Sequence, residues 1–570
     1  MEYSSIVHFA NKNYCFALTP GKFVFRLEAK RKDLQKVIIH TQDKYIKLHV
    51  LDTHSETPMK LVGSDKYKDY FEVILDIDVI CLRYYFELID FDGNTTFFCN
   101  HNFYDTPVED VECMFDCPQN LREEEMFIVP EWAKNKVVYQ IFPSRFATDA
   151  NVLDEEWYKE PISYKDNLHG NIRGIINHLD YIKELGVDII YLTPIFKSNS
   201  SHKYNTDDYY QIDPDFGTNE DFKELVNKAH EKGLYVIIDG VFNHTSDHFF
   251  AFQDVLKNGR ESRYWDWYYF KDIPLITEWG KKPNYLTFAY AGPMPKLRLS
   301  NPEVADYFID VASYWVNECD IDGIRLDVGD EISHFFWKKF RSALKLVKPE
   351  LLIIGEIWHF AGDFLEGDEW DTVMNYTFQR SINDMIINES GSVETFIENQ
   401  NFMAAHTHPD VMKVLWNLIG SHDTIRFLTA CGANKEKLKL AAAFMLLHQG
   451  MPMIYYGDEV AMEGGNDPDC RRGMLWDTAR QDQAVLSYYK KLLSLRHNYP
   501  IITCWDDREI KTDESKKVLI EKLVYDNEEL TIVFSISSEK IQLSQYAGKY
   551  DLLSETMFDG VLLPYQVIIN

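Results

Sequence analysis

The spacing of hydrophobic positions changes twice along the chain. Up to about residue 120 they come in short alternating runs: Lys22-Phe-Val-Phe-Arg-Leu27, Lys36-Val-Ile-Ile-His40, Phe71-Glu-Val-Ile-Leu75, Arg83-Tyr-Tyr-Phe-Glu-Leu88 and Thr95-Thr-Phe-Phe98. Alternation marks strands with one buried face, and strands this close together predict a β-sandwich. Glu123-Glu-Glu125 and Pro130-Glu-Trp132 read as a linker. From about residue 136 the runs become largely apolar and alternate with helical periodicity. They are Val137–Phe142, Ile189–Leu192, Tyr235–Asp239, Gly323–Asp327, Leu351–Glu356, Thr372–Met374, Val414–Trp416 and Met453–Tyr455. Largely apolar, non-alternating runs fit parallel strands covered on both faces. Between them, Ile172, Ile175, Ile176, Leu179, Ile182 and Leu185 share one helical face, with Gly186 where a C-terminal cap belongs. Asn301-Pro-Glu303 opens a second helix with a capping Asn and a Pro in its first turn.

Eight strand–helix units predict an α/β protein built on a (β/α)8 TIM barrel, whose site lies at the C-terminal ends of the strands. Residues 243–300 are too long for a plain loop and include Arg263-Tyr-Trp-Asp-Trp-Tyr-Tyr-Phe270. They predict a small domain inserted after strand 3. From about residue 500 short β runs return, such as Val518–Leu523 and Leu530–Phe534. The expected domains are thus 1–122, an N-terminal β-sandwich; 123–499, the barrel, with its insertion at about 243–300; and 500–570, an antiparallel β domain.

Composition narrows the function. The chain has 570 residues and a net charge of −31, which repels nucleic-acid phosphates and makes no demand on a neutral ligand. Its 36 Phe, 34 Tyr and 12 Trp are mostly core, though exposed rings stack on sugars. Nine Cys is sparse and odd, no apolar stretch approaches the roughly 20 residues that span a bilayer, and the N-terminus lacks the pattern of a signal peptide. The expectation is a cytoplasmic protein with reduced thiols and no membrane partner.

The chemistry lies at the strand ends. Asp239-Gly-Val-Phe-Asn-His244, Gly323-Ile-Arg-Leu-Asp327, Gly355-Glu-Ile-Trp-His359 and Ser421-His-Asp-Thr424 each follow an apolar run. Asp327, Glu356 and Asp423 supply three carboxyls, and retaining glycoside cleavage needs one as nucleophile and one, protonated, as acid. Asp327 is the expected nucleophile, oriented by Arg325 two residues earlier on the same face of the strand. Glu356, in an apolar setting that raises its pKa, is the expected acid and then base. Asp423 is expected to bind sugar hydroxyls and distort the ring, with His422 and His244 donating to the same sugar. Asp239 is expected to hold Arg325 or a hydroxyl, and Asn243 to brace its loop. His202 and Tyr204 are candidates for stacking at the cleavage point. Asp467 and Arg471 are candidates for the next sugar, and Glu331, at the start of the following helix, for the acceptor side. Taken singly, an Arg–Asp pair at a barrel rim or a lone loop His is usually structural. Their convergence on consecutive strand ends carries the case.

These segments resemble, in wording and order, the shared regions of the α-amylase clan of glycoside hydrolases. A narrower resemblance is to its cyclomaltodextrinase, neopullulanase and maltogenic amylase group. It rests on His202-Lys-Tyr-Asn-Thr206, Tyr209-Tyr-Gln-Ile-Asp-Pro214, Met294-Pro-Lys-Leu297 and Gly464-Gly-Asn-Asp-Pro-Asp-Cys-Arg471. The resemblance implies hydrolysis of α-1,4 bonds in cyclodextrins and short maltooligosaccharides, with weaker action on pullulan and starch and transfer to other sugars. It also implies an N-terminal starch-binding-type module that forms a homodimer. Arg298-Leu-Ser300 and Val328-Gly-Asp330 depart from the group near the acceptor side. The family's calcium loop is thin in Thr148–Asp154 and His169-Gly-Asn171, against six to eight oxygens needed. No required cofactor and no metal ligands are therefore expected, and calcium is not favoured. The alternatives are an exo-acting α-glucosidase or oligo-1,6-glucosidase on the same barrel, and, from another class, a barrel without catalysis serving as a binding subunit.

Overall fold

The computed structural model describes residues 1–45, 54–79, 81–117, 126–149, 155–388, 390–513, 515 and 517–570. Glu123-Glu-Glu125 of the expected linker and residues 150–154 of the thin calcium-type loop lie outside them. The chain divides into two compact units, one of residues 1–128 with 365–367 and 394–409, the other holding the remainder.

The first unit contains two antiparallel sheets. One runs Cys15–Thr19, Lys22–Lys30, Lys68–Asp76, Lys60–Ser64; the other runs Ser55–Pro58, Leu34–Asp43, Leu82–Asp90, Thr95–Cys99, Asn102–Tyr104. Phe23, Phe25, Leu27, Val37, Ile39, Tyr84 and Phe86 build the core between them. This is the sandwich that the alternation predicts.

In the second unit eight parallel strands close into a barrel. We label them β1 (Val138–Ile141), β2 (Ile189–Leu192), β3 (Tyr235–Gly240), β4 (Gly323–Leu326), β5 (Leu352–Gly355), β6 (Thr372–Asn375), β7 (Trp416–Leu418) and β8 (Met451–Tyr455). All eight expected strands are present, with β7 beginning two residues later than its apolar run implies. The expected helix over 172–185 is two, Ile172–Asn177 and Leu179–Leu185. The break is at His178, whose Nδ1 bonds the Gly174 carbonyl at 2.7 Å. Gly186 ends the second piece with φ +99°, as the cap requires. Asn301 caps Pro302–Cys319 by accepting from the Glu303 N–H.

Residues 243–300 form a helix, Phe250–Asn258, followed by short 3-10 turns and isolated bridges rather than a sheet of their own. A hairpin, Phe196–Ser198 with Thr206–Ile212, follows β2. Asp507–Asp513, Val518–Tyr525, Glu528–Ser535 and Val567–Ile569 make the C-terminal antiparallel sheet. No described helix is long and apolar enough to cross a membrane, and no disulfide joins the described cysteines.

Candidate active site

Register positions the chemistry. Asp239 pairs with Arg325 across β3 and β4, and Leu326 with Gly355 across β4 and β5. Parallel pairing sets three strand ends at one level, so Asp239, Arg325, Asp327 and Glu356 meet at the barrel mouth. Gly355 is required there. A Cβ on it would lie 2.1 Å from the buried Trp370 ring, which fills the space behind the end of β5.

One guanidinium organises the acids. Arg325, fully buried, donates from Nη1 to Asp239 Oδ1 at 2.9 Å and to Asp327 Oδ1 at 3.0 Å. Its Nη2 lies 2.8 Å from Glu356 Oε1 but is not aligned to donate to it. Asp327 and Glu356 thus both reach one guanidinium, which brings together the two carboxyls that a retaining glycosidase needs. Glu356 also accepts the Val328 N–H at 2.9 Å and the Trp358 indole N–H at 3.3 Å. Val328 holds a left-handed backbone, φ +46° and ψ +47°, unusual for a β-branched residue. That turn aims its N–H at the neighbouring carboxyl.

Burial raises the pKa of Asp327, Glu356 and Asp423. For Asp327 the neighbouring Glu356 adds to this, for Glu356 the neighbouring Asp423 does, and Arg325 opposes it at all three. Burial pushes Asp239 up to about 6 against the pull of Arg325. A cluster of raised carboxyls retains a proton near neutrality. Arg325 is aligned on Asp239 and Asp327 and off-axis to Glu356, so Glu356 has the short contact without the hydrogen bond.

A second chain of bonds fixes the tautomers. The Gln140 amide donates to His422 Nδ1 at 2.8 Å, leaving His422 Nε2–H to donate to the Tyr204 hydroxyl at 2.5 Å. Tyr204 donates in turn to Asp239 Oδ2 at 3.1 Å. Burial, with Arg471 next, holds His422 well below its ordinary pKa, so the ring is neutral. His422 Nε2 also lies 3.2 Å from Asp423 Oδ2. The Tyr204 and His422 rings are parallel, 2° apart in plane.

The turn that presents Tyr204 depends on Lys203. This residue is buried, has φ +62°, and its ammonium reaches Asp213 at 2.8 Å and the Ser198 carbonyl at 3.2 Å. With Lys203 directed inward, His202 and Tyr204 line the opening. The Tyr204 N–H donates to His202 Nδ1 at 3.1 Å, and burial lowers the His202 pKa to about 4. Asp467 bonds Arg471 at 2.9 Å and accepts the Tyr164 hydroxyl at 2.6 Å. Arg471 also reaches Asp423 Oδ1 at 3.1 Å.

These groups line a cavity of about 980 Å³, at the large end of small-molecule sites, which run about 300–1,000 Å³. Asp327, Glu356, Asp423, His202, Tyr204, His244, Asp467 and Arg471 line it. Asp239, Asn243, Arg325 and His422 stand behind the wall. His244 lies in the wall with its ring against Phe288, centroids 4.9 Å apart, but its Nε2–H is donated to the Tyr204 carbonyl at 3.1 Å. It therefore offers a sugar its face and not that N–H. Glu331 stands on a 3-10 turn, Gly329–Glu331, ahead of the helix rather than at its start, and outside the cavity wall. It accepts from Asn243 at 3.1 Å and faces Lys296 at 3.3 Å.

Among the lining residues, Tyr164, Trp279 and Phe288 were not singled out from sequence, and Met294, Val328, Asp330 and Trp358 were quoted only within motif segments, without a role of their own. Trp358 stood within a motif and stacks on Tyr376 at 4.2 Å. Gln140, a polar residue within the apolar run of β1, carried a legible signal too. Trp279 and Phe288 come from the irregular insertion, where no periodicity marks a side chain as facing a ligand.

Comparison with known proteins agrees with this geometry. A family model described as the alpha amylase catalytic domain matches residues 140–524, and one described as the alpha amylase N-terminal ig-like domain matches 1–119. The chain is 39% identical over 561 residues, 97% of its length and 94% of the relative's, to a maltogenic alpha-amylase of Bacillus acidopullulyticus. It is 38% identical over 585 residues, 99% of its length and 98% of the relative's, to neopullulanase 2 of Thermoactinomyces vulgaris. Among solved structures, a cyclomaltodextrinase superposes with a TM-score of 0.89 at 34% identity, covering 95% of this chain and 93% of the other.

Proposed function

Since the chain belongs to the alpha-amylase family, we propose that it is a retaining α-glucan hydrolase cleaving α-1,4 bonds of cyclodextrins and short maltooligosaccharides. The observation that carries this is the pair Asp327 and Glu356 on one buried guanidinium, at 3.0 and 2.8 Å, at the mouth of the cavity. The names of its relatives, maltogenic alpha-amylase, neopullulanase and cyclomaltodextrinase, support the substrate class.

In the proposed reaction Asp327 attacks the anomeric carbon and forms a glycosyl ester. Glu356 gives its proton to the departing oxygen, then takes one from water as that water breaks the ester. Arg325 orients Asp327 and opposes the burial that raises its pKa. Asp423, steadied by Arg471, binds hydroxyls of the reacting sugar. His422 acts through Tyr204, whose ring face stacks on that sugar. Asp467 and Arg471 meet the next sugar on the non-reducing side. Glu331, Lys296 and Asn243 position the acceptor-side loop, and transfer to another sugar follows when the acceptor replaces water. These steps need no cofactor. Cytoplasmic location and a homodimer through the N-terminal module belong to the same proposal; the name of a relative 37% identical over 508 residues, intracellular maltogenic amylase of Bacillus subtilis, supports the first.

Chromatography of products from β-cyclodextrin, maltotriose, pullulan and soluble starch tests the substrate class, and NMR of the first-formed anomer tests retention. Maltose and glucose of α configuration are expected. Preferred release of glucose from isomaltose would favour the oligo-1,6-glucosidase alternative.

A further inference from the structure

A second cluster of chemically suited side chains lies in the first unit, remote in sequence from the residues of the candidate active site. His40 sits on the strand Leu34–Asp43, directly opposite Glu56 on Ser55–Pro58, with His54 just before that strand. One ligand atom from each of these residues lies within 4.8 Å of the other two. We propose that His40, His54 and Glu56 form a binding site for a divalent metal of the zinc class, with Glu87 as its supporting carboxylate.

The state of His40 is the main support. The residue is only 5% exposed, and its Nε2 donates to Glu87 Oε2 at 2.9 Å. That bond leaves Nδ1 as the lone-pair nitrogen. Buried Nδ1 has no hydrogen-bond partner among the described residues, and it points at Glu56 Oε1, 3.6 Å away. That distance is too long for a hydrogen bond. It is close to the spacing of two ligands on one tetrahedral zinc, about 3.3 Å for bonds of about 2.0–2.1 Å. The His54 Nε2 to Glu56 Oε1 separation of 3.4 Å fits the same edge. Metal-bound His normally donates its other ring N–H to a carboxylate, and Glu87 fills that place. Tyr85 fixes the ring plane, stacked at 4.6 Å and 4°. The three ligands and Glu87 line a cavity of about 560 Å³ with room for a water as fourth ligand. Two nitrogen ligands select against calcium and magnesium, which take oxygen. A bound metal would tie the hairpin of the two strands together.

The test uses the full-length protein stripped with chelator, then titrated with Zn²⁺ in a calorimeter, with melting followed in zinc and in EDTA. About one zinc per chain is expected, with a Tm several degrees higher in zinc and no rise with Ca²⁺. Both ligands on the exposed side are changed together, H54A with E56Q, so that the fold is kept. This variant should match the apo Tm and maltotriose turnover of the wild type but lose the zinc-dependent rise. A second variant, E87Q, should bind zinc at least about tenfold more weakly. Zinc uptake by H54A/E56Q equal to that of the wild type, or none by the wild type at micromolar zinc, would overturn the proposal.

Discussion

Replacing Glu356 by Gln separates the chemistry of this residue from its place in the fold. Gln has the same shape, so no cavity opens at a position only 5% exposed. Its amide oxygen still accepts the Val328 N–H, which is 2.9 Å away in the wild type. What disappears is a carboxyl that folding drives toward its protonated form. Its folded pKa lies above the ordinary 4.5, because of burial first, opposed by Arg325 and reinforced by Asp423. The stability this group contributes is complete below its unfolded pKa and is lost as the pH rises through the folded one. Gln mimics the protonated acid at every pH. The Tm advantage of the variant over the wild type should therefore grow from pH 5 to pH 8, each pK unit of elevation contributing about 1.4 kcal/mol. Turnover of maltotriose should fall by about 10²–10⁴-fold, or about 2.7–5.5 kcal/mol in the barrier, the usual contribution of a positioned acid–base group. With α-maltosyl fluoride, whose leaving group needs no proton, formation of the ester should recover most of that loss. Azide, an anionic nucleophile that needs no base, should then take the place of water, displace the Asp327 carboxylate and give α-maltosyl azide. Equal losses on fluoride and maltotriose, or a Tm advantage that shrinks with rising pH, would refute the assignment.

The remaining predictions bear on neighbouring groups. Asp327→Asn should abolish turnover on maltotriose and on the fluoride alike while circular dichroism and Tm stay at or above wild type; measurable turnover on either would reject Asp327 as nucleophile. Tyr204→Phe leaves the His422 N–H with only Asp423 at 3.2 Å. It should destabilise by about 1–3 kcal/mol in denaturant unfolding and reduce kcat/KM by about 10–100-fold. An unchanged variant would remove the bond network from the account. Gly355→Ala drives a methyl into Trp370, 2.1 Å away, so both Tm and kcat should drop, by about 1–3 kcal/mol in stability. A variant as stable and active as the wild type would contradict the packing described at the end of β5. Because Asp327 and Glu356 are both raised, the two limbs of the pH profile of kcat/KM should lie above the ordinary carboxylate range. A basic limb near pH 4–5 would contradict that.

Much of this molecule was legible in the sequence because its barrel strands are bounded. Asp239, Asp327 and Glu356 each end an apolar run, so the polar boundary marked both the strand and the site. β7 lacked such a mark. Apolar residues continue from Val414 to Leu418 on either side of Asn417, and only pairing of Trp416 with Met374 and Met451 sets its start. The break at His178 depends on a side-chain bond to Gly174 that competes with the helix, which an apolar stripe does not record. Trp279 and Phe288 reach the cavity through irregular backbone, so their place is a tertiary fact. The engagement of His244 by the Tyr204 carbonyl, and of Glu331 by Asn243, likewise depends on loops meeting from distant parts of the chain. His40 escaped notice because its partners became visible only when two strands were aligned in register.

The most direct test of the central claim is to find the covalent ester. The Glu356→Gln variant, loaded with α-maltosyl fluoride and quenched, is digested and mapped by tandem mass spectrometry. Maltose linked to the peptide bearing Asp327, and released as the α-azide on adding azide, is the predicted result. Sugar attached at Asp423 or Asp239, or release of β-maltose with no attached sugar, would contradict the account.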